Sequence, residues 1–205
     1  MRTLLPDLNP DINRRLEKAV MDIFSNNDFH KVGIRDVAQK AGISFSTIYN
    51  HFGSKEKLLF AYLDIWLGKL TDRISDHLQG IEDLKEKLRK VFWLQLDYYE
   101  RHPEFGRILF MTLPMKTWME DETFKQEKMI STYLDVIHKG QKEGILNPKV
   151  RAGVLLDVML GLVRRFFFMW VARGQTESLA EQANVLFDIL WRAISNPNCD
   201  RHDLP

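Results

Sequence analysis

Residues 42–52 read Gly-Ile-Ser-Phe-Ser-Thr-Ile-Tyr-Asn-His-Phe, and this stretch decides how the rest of the chain is interpreted. It follows the amphipathic segment 34–41, Ile-Arg-Asp-Val-Ala-Gln-Lys-Ala, whose apolar residues recur at helical spacing. Gly42 stands where that helix must end, because glycine readily takes the left-handed conformation, and Ser44 can cap the next helix. The two segments therefore predict a helix, a tight turn and a second helix. Such a motif places its second helix in the major groove of DNA.

The predicted second helix, residues 45–52, has the chemistry of a DNA-reading surface. It contains no acidic residue, which fits a surface that faces phosphates. Ser46, Thr47 and Asn50 have the polarity to meet base edges, and asparagine pairs well with adenine. Phe45 can lie against the methyl groups of thymine. These four residues are therefore predicted to select the sequence that is bound.

Three neighbouring residues can position the helix on the DNA backbone. Tyr49 and His51 can donate hydrogen bonds to phosphates, and Lys55 offers a point charge near a helix N-terminus. Ile48 and Phe52, in contrast, are predicted to pack into the core. The ring of Tyr49 can pack while its hydroxyl reaches outward. No second ligand lies at a suitable spacing beside His51, so we predict no metal site.

The stretch Phe29–Lys57 resembles the DNA-binding signature of TetR-type transcriptional regulators almost position for position. An isolated helix–turn–helix is a weak signal, whereas this extended match is a strong one. The runs that carry the resemblance are Ile34-Arg-Asp-Val-Ala, Ala41-Gly-Ile-Ser and Thr47-Ile-Tyr-Asn-His-Phe-Gly-Ser-Lys-Glu-Lys-Leu-Leu.

Two departures from the family pattern affect the expected DNA contacts. The family usually has a hydroxyl residue just before the helix that begins at Ile34, where it contacts a phosphate. Here Val32 and Gly33 stand there, so we expect backbone N–H groups at the helix N-terminus to make that contact. Phe45-Ser46 replaces the common Lys-Gly, so the operator sequences of relatives are not carried over. The residues predicted to contact DNA are Gly33, Ser44, Phe45, Ser46, Thr47, Tyr49, Asn50, His51 and Lys55.

The remaining sequence predicts an all-α fold with an N-terminal three-helix DNA-binding domain and a larger helical C-terminal domain. Helix caps, prolines and apolar periodicity predict helices over about 9–26, 55–78, 81–102, 104–113, 118–143, 148–173 and 178–195. We expect residues 1–55 to form the DNA-binding domain and 56–79 a connecting helix. Residues 80–205 are then the effector-binding and dimerisation domain, and 196–205 a frayed tail.

Composition narrows the function classes only slightly. The 205 residues carry a net charge of +1, and residues 1–60 hold nine Lys/Arg against seven Asp/Glu, so a DNA-binding surface must come from local patterning. Cys199 is the one cysteine and suits a reducing cytoplasm. The apolar patch at the start is too short for a signal peptide. The apolar run 154–172 contains Arg164 and Arg165, which a membrane span would disfavour.

The last two predicted helices carry more apolar surface than a monomer of this size needs. One interpretation is a well-filled core; the other is a homodimer interface formed by the faces of Val154–Ala172 and Leu186–Ile194. A single recognition helix covers few base pairs, so a palindromic operator in double-stranded DNA also requires a dimer. The resemblance implies the same homodimer. We predict an interface of at least about 1,200 Å².

The resemblance also implies a pocket for a small effector among the C-terminal helices, with the connecting helix as the coupling element. Large, deformable side chains there favour an aromatic or long-chain apolar effector, although each of them can equally be ordinary core. Arg164 and Arg165 can hold a ligand's anion or pair with Asp157. The residues predicted to bind the effector are Trp93, Phe110, Met111, Trp118, Tyr133, Met159, Phe166 and Phe167.

Three functional hypotheses remain at this stage. The first is a ligand-responsive dimeric repressor, and the second a helix–turn–helix DNA-binding protein controlled by a protein partner or by assembly on DNA. The third is an enzyme, which is disfavoured because the chain has no phosphate-binding glycine loop, no nucleophile elbow and no paired metal motif. We therefore predict neither catalytic residues nor a cofactor.

Overall fold

The computed structural model of the chain describes residues 8–114, 116–117 and 127–198. Within these residues the only β contact is an isolated bridge between Leu146 and Ser195, which confirms the predicted all-α class. The helices are α1 (Pro10–Asn26), α2 (Ile34–Ala41), α3 (Phe45–Phe52), α4 (Lys55–His77), α5 (Leu84–Arg101), α6 (Pro103–Arg107, continued by a π-helical turn over Ile108–Thr112), α7 (Glu127–Lys142), α8 (Ala152–Ala172) and α9 (Leu179–Ile194).

The chain divides into two compact units, and each of them is built from two separate stretches of the sequence. The first contains the described residues up to Leu70 and those from His102 to 117. The second contains Thr71–Arg101 and the described residues from 127 onward. Helix α4 therefore contributes to both units. The contiguous division into 1–55, 56–79 and 80–205 stays a prediction.

The core of the first unit is built on α1, α2, α3 and the start of α4. Leu16, Val20 and Ile48 are almost fully buried, and the rings of Phe24 and Phe29 lie 5.8 Å apart. These residues recur at the spacing of an amphipathic helix or follow its end, which is why the sequence predicted them to face inward. The first unit thus provides a packed support for α3.

The turn between α2 and α3 forms as its sequence predicts. Gly42 has φ 64°, and its N–H donates to carbonyl oxygens of the last turn of α2. Ser44 Oγ accepts a hydrogen bond from the Thr47 N–H at 3.1 Å and so caps α3. Arg15 of α1 donates to the carbonyl oxygens of Ala41 and Gly42, both at 3.3 Å, and this fixes the turn against α1.

Helix α6 and its π-helical continuation belong to the first unit because they pack on α1. Phe105 is buried, and its ring meets Trp66 of α4 edge-on at 6.0 Å. Thr112 Oγ1 donates to the carbonyl oxygen of Phe24 at 2.9 Å. The predicted helix 104–113 is therefore shortened to Pro103–Arg107 and followed by the wider turn.

In the second unit α5 packs on α9, and α8 packs on both α7 and α9. The rings of Phe92 and Phe187 join α5 to α9 at 6.1 Å. Gly140 of α7 meets the side chains of Leu84 and Leu146 so closely that a Cβ would lie 2.5 Å from a Leu84 methyl carbon. This glycine therefore serves close packing.

Three predicted boundaries in the second unit were wrong. Helix α5 begins at Leu84, since Asp83 accepts from the Glu86 N–H at 2.8 Å and caps it. Helix α8 begins at Ala152, so Pro148 lies in the preceding turn.

The third concerns the predicted tail. Backbone bonds at 2.9 Å from Asn147 N–H to Ile194 O and from Asn196 N–H to Ile145 O tie the two segments together. Residues 196–198 are therefore attached to the second unit rather than frayed, while Cys199, Trp118 and the predicted start of the long seventh helix lie outside the described residues.

None of the described helices combines the length and the apolar character that crossing a bilayer requires.

Candidate nucleic-acid interface

Helix α3 presents one buried face and one exposed face. Ile48 and Phe52 are buried, as predicted, and anchor the helix to the first unit. Ser46, Tyr49 and Asn50 are exposed, and Tyr49 keeps 50 % of its surface accessible. The side chains predicted to meet DNA therefore share the solvent-facing side of a rigidly held helix.

Three of these side chains have unused polar groups. Among the described residues, the Tyr49 hydroxyl, the Asn50 amide and the His51 ring make no hydrogen bond to the protein. Phosphate oxygens and base edges are partners that such groups can use. In this lack of hydrogen bonds they differ from the hydroxyl residues at the start of the same helix, which bond to one another.

Those hydroxyl residues form a small cluster at the N-terminus of α3. Ser44 Oγ lies 2.7 Å from Thr47 Oγ1 and 3.0 Å from Ser46 Oγ. A hydroxyl has one donor and two acceptor lone pairs, so each of these groups retains capacity for an outside partner. The cluster thus combines capping with a polar surface at the end of α3 where its backbone N–H groups are exposed.

Gly33 and Lys55 have roles within the protein that the sequence did not indicate. The Gly33 N–H donates to Asp36 Oδ2 at 2.8 Å, so this N–H is not free for a phosphate. Lys55 Nζ donates to the carbonyl oxygens of Phe29 at 2.7 Å and Val32 at 3.0 Å. Their DNA contacts stay predictions, and each would compete with these internal bonds.

Sequence reasoning missed Arg35, which lies beside the predicted reading surface. Its guanidinium carbon stands 5.5 Å from the centre of the Phe45 ring, and that ring stacks on Tyr49 at 5.4 Å. The sequence feature that could have indicated a DNA contact is the position of this arginine in the first turn of α2. Its relation to α3 depends on the turn geometry and so became visible only in the structure.

Ligand chemistry for a metal is absent from this surface. No group of three His, Cys, Asp or Glu side chains that could hold an ion occurs among residues 8–114, 116–117 and 127–198.

The residues predicted to bind an effector fall into both units. Phe110 and Met111 belong to the first unit, and Met111 is exposed. Trp118 lies outside the described residues. The second unit contains the others, which are Trp93, Tyr133, Met159, Phe166 and Phe167.

Two members of that group, Phe167 and Tyr133, contact side chains of α5. Phe167 is fully buried and meets Tyr99 edge-on at 5.8 Å. Gln95 is buried and donates from Nε2 to Tyr133 Oη at 2.7 Å. Burial raises the pKa of Tyr133 to about 12 although the bond from Gln95 opposes the shift. Burial raises the pKa of Tyr99 as well, so the hydroxyls of Tyr99 and Tyr133 are both neutral at physiological pH.

Of the other predicted residues in the second unit, Met159 is buried in the core, whereas Trp93 and Phe166 lie near the surface. Trp93 lines an open groove with Ile81 and Arg89, and Lys90 Nζ stands 4.6 Å from the centre of the Trp93 ring. Phe166 lines a separate small pocket beside Trp170. Arg164 and Arg165, suspected of holding an anion, are both exposed on α8.

Helices α8 and α9 expose an apolar stripe of the kind predicted for a dimer interface. Val154, Val158 and Phe168 on α8 each keep about two fifths of their surface exposed, at 38 %, 41 % and 41 %. Val185 and Ile189 on α9 are 67 % and 57 % exposed and stand four residues apart on one face. The buried face of α9 instead carries Leu186, Leu190 and Ile194.

A family model and two relatives of known description match this chain. The family model described as "Bacterial regulatory proteins, tetR family" matches residues 18–62, which include α2 and α3. The chain is 22 % identical over 184 residues to the fatty acid metabolism regulator protein of Bacillus subtilis, covering 87 % of this chain and 93 % of that protein. It is 28 % identical over 152 residues to the HTH-type transcriptional repressor KstR2 of Mycobacterium tuberculosis, covering 70 % of each.

Solved structures agree in fold over most of the chain. The crystal structure of the transcriptional regulator FadR from Bacillus subtilis in complex with stearoyl-CoA superimposes with a TM-score of 0.77 at 16 % identity. The alignment covers 87 % of this chain and 97 % of that one. The similarity thus extends beyond the helix–turn–helix into the C-terminal helices.

Proposed function

Because this chain belongs to the tetR family of transcriptional regulators, we propose that it is a dimeric repressor whose binding to a palindromic operator is controlled by a small apolar effector. Its relatives are regulators and not enzymes, in agreement with the absence of any catalytic motif in the sequence. The single observation that carries the proposal is the exposed face of α3 with its unused polar groups.

On this face the roles divide by chemistry. The Tyr49 hydroxyl and the His51 ring donate to phosphates and set the position of α3 in the major groove. The Asn50 amide, which has no partner among the described residues, pairs with an adenine. Ser46 and Thr47 approach neighbouring base edges from the hydroxyl cluster.

Dimerisation is supported by the apolar stripe on α8 and α9. Val154, Val158, Phe168, Val185 and Ile189 form an exposed apolar set on two helices that pack against each other. Exposed apolar surface of this kind marks sites of protein association. A second copy that presents the same stripe buries it in an isologous four-helix arrangement and pairs two recognition helices for a two-fold site.

An apolar effector is supported by the interior of the second unit and by the relatives. The cluster of Phe167, Tyr99 and Tyr133 provides an aromatic surface with the Gln95 amide at its polar centre. A relative of known structure binds stearoyl-CoA, and another is a ketosteroid regulator by its description. Long-chain acyl-CoA is therefore the first class of effector to test.

Coupling between effector and operator runs through α4, because this helix contributes to both compact units. A ligand shifts an equilibrium only through different affinities for two conformations. The proposal thus requires that the effector-bound form of the second unit favour a position of α4 that binds the operator less tightly.

The first experiment is selection of random duplex DNA on the purified protein at near-physiological salt, followed by sequencing. Enrichment of a two-fold palindrome supports a dimeric, sequence-specific regulator, and half-sites about one turn apart are expected. Bound ligand is removed by unfolding and refolding the protein. If the refolded, dimeric protein still selects no sequence, the proposal is contradicted.

The effector is then tested on the selected operator. Stearoyl-CoA is expected to release the DNA, while CoA alone at the same concentration is not. Tyr133→Phe is expected to weaken this response and leave ligand-free operator affinity unchanged, because its hydroxyl lies in the second unit. Operator binding that is insensitive to acyl-CoA of every chain length would favour control by a protein partner instead.

A further inference from the structure

We propose that Arg35 reads a guanine adjacent to a thymine in each operator half-site, and that the Phe45 ring both holds its guanidinium and covers the thymine methyl group. The inference rests on the proposed operator-binding function and names the base step that this site recognises. Arg35 then becomes a specificity-determining residue contributed by α2, in addition to those on α3.

The geometry is a short ladder of three side chains. The Arg35 guanidinium carbon lies 5.5 Å from the centre of the Phe45 ring. The Phe45 ring stacks on Tyr49, one helical turn later, with centres 5.4 Å apart and planes 24° apart. A cation within about 6 Å of an aromatic ring centre is attracted by the ring's negative face. The ladder therefore orients a side chain that would otherwise be free.

Among the described residues, the Arg35 guanidinium has no competing hydrogen-bond or ion-pair partner. No hydrogen bond or ion pair of its guanidinium occurs within the part of the chain that the structure describes, and the residue is exposed. All five N–H donors of a guanidinium are thus available, and the ring contact uses none of them. In contrast, Lys40 of the same helix is paired with Asp22 of α1.

The exposed rings are also unusual for a surface that faces water. Phe45 keeps 41 % and Tyr49 50 % of its surface exposed, although both lie on a helix with an adequate buried face. Apolar edges gain nothing from a phosphate but match the C5 methyl of thymine, which protrudes into the major groove. The Phe45 ring therefore favours a base contact over a backbone contact, while the Tyr49 hydroxyl can still reach a phosphate.

Guanine is the base that matches Arg35. Arginine makes its commonest specific contact as a bidentate pair with guanine O6 and N7. Successive base pairs lie about 3.4 Å apart along the duplex, so groups centred 5.5 Å apart can reach neighbouring pairs. A planar guanidinium stacked on a ring is preorganised for this fork, which a lysine could not replace.

The test uses the selected operator carrying single modified bases. Deoxyuridine removes only the thymine methyl, and at the covered thymine the wild type is expected to lose about fourfold in affinity, the value of one buried methyl group. 7-Deazaguanine removes N7 at the adjacent guanine and is expected to cost about fivefold or more. Each thymine and each guanine of the operator is replaced in turn, so the contacted positions need not be known in advance.

Two variants assign the contacts to residues. Phe45→Ala is expected to bind the thymine and deoxyuridine operators equally. Arg35→Ala, which removes every donor that could reach guanine N7, is expected to bind the guanine and deazaguanine operators equally. Lys31→Ala serves as a control, because it removes an exposed charge near α2 and should leave the preference at both positions as in the wild type. Circular dichroism confirms that each variant is folded.

The outcomes separate this inference from the function on which it rests. A selected operator whose thymines all tolerate deoxyuridine overturns the inference and leaves the repressor proposal intact. So does an Arg35→Ala variant that stays sensitive to deazaguanine, or one that loses affinity for every sequence alike, which is the signature of a phosphate contact. Failure to select any operator contradicts the proposed function itself.

Discussion

The ammonium group of Lys55 lies 2.7 Å from the carbonyl oxygen of Phe29 and 4.4 Å from the centre of that residue's own ring. It joins the first residue of α4 to the segment between α1 and α2, which is 26 positions earlier in the chain. A charged donor that satisfies a backbone carbonyl is among the stronger hydrogen bonds in proteins. Lys55 therefore supports the helix–turn–helix from within.

We expect Lys55→Ala to lower the free energy of unfolding by about 1–3 kcal/mol, because the carbonyl oxygens of Phe29 and Val32 both lose their donor. Urea denaturation at neutral pH measures this change. Lys57→Ala is the matched control, since Lys57 is exposed two residues away and should change stability by less than about 0.5 kcal/mol.

The opposite result is equally informative. Unchanged stability in Lys55→Ala, together with a salt dependence of DNA binding that becomes shallower by about one charge, would restore the phosphate contact that the sequence predicted.

Asn50→Ala should cost about 1–3 kcal/mol of affinity at one base position and relax the preference there. The Asn50 amide is exposed and has no hydrogen bond among the described residues, so no folding penalty is expected. Competition titrations with single-base variants of the operator measure the preference. Selectivity that is the same at every position would mean that α3 docks in another orientation.

Ile189→Lys should convert the proposed dimer into monomers at micromolar concentration and abolish operator binding with it. Ile189 is 57 % exposed and stands one turn from Val185, so the lysine changes the stripe without disturbing the core. Analytical ultracentrifugation measures the mass. Ile130→Lys places the same change at an exposed apolar residue of α7 and should stay dimeric; equal dissociation of both variants would count against the α8–α9 interface.

Asp97 is a buried carboxylate whose ionisation stabilises the second unit. Burial alone would raise the pKa of Asp97, but hydrogen bonds from Arg101 at 2.9 Å and Arg73 at 2.5 Å hold it below its ordinary value. A lowered pKa in the folded state stabilises the fold at every pH above the unfolded value. This stabilisation is lost as the pH falls through the folded value.

Asp97→Asn should therefore reduce the free energy of unfolding by about 1–3 kcal/mol at pH 7, with the difference from the wild type narrowing below about pH 4. Urea denaturation between pH 2 and pH 7 measures both curves (the exposed Asp135→Asn is the control). A difference that is constant across this range would mean that the charge of Asp97 contributes nothing.

Much of the geometry of the helix–turn–helix could be predicted because its signals are local. Gly42 ends α2 in the left-handed conformation, Ser44 caps α3, and Ile48 and Phe52 turn inward, all through residues within one or two helical turns. Helix boundaries failed where a distant partner mattered. Helix α8 starts after Pro148 because the preceding segment bonds to the end of α9.

The residues of an effector pocket are harder to predict, because large apolar side chains are equally suited to a packed core and to a pocket. Phe167 and Tyr133 do meet one cluster through α5, whereas Phe110 and Met111 belong to the other compact unit. Sequence spacing does not separate these two pairs of residues, because apolar residues in both units follow the same helical period.

The sequence by itself determined the helix–turn–helix, its caps and its exposed polar face, because helix propensity, capping and periodicity act between residues a few positions apart. Only the tertiary structure decided which polar and charged groups already have partners within the protein. It pairs Lys55 with Phe29, uses the Gly33 N–H within α2 and brings Arg35 against Phe45. Contacts between elements depend on how helices pack, and a one-dimensional pattern does not record that packing.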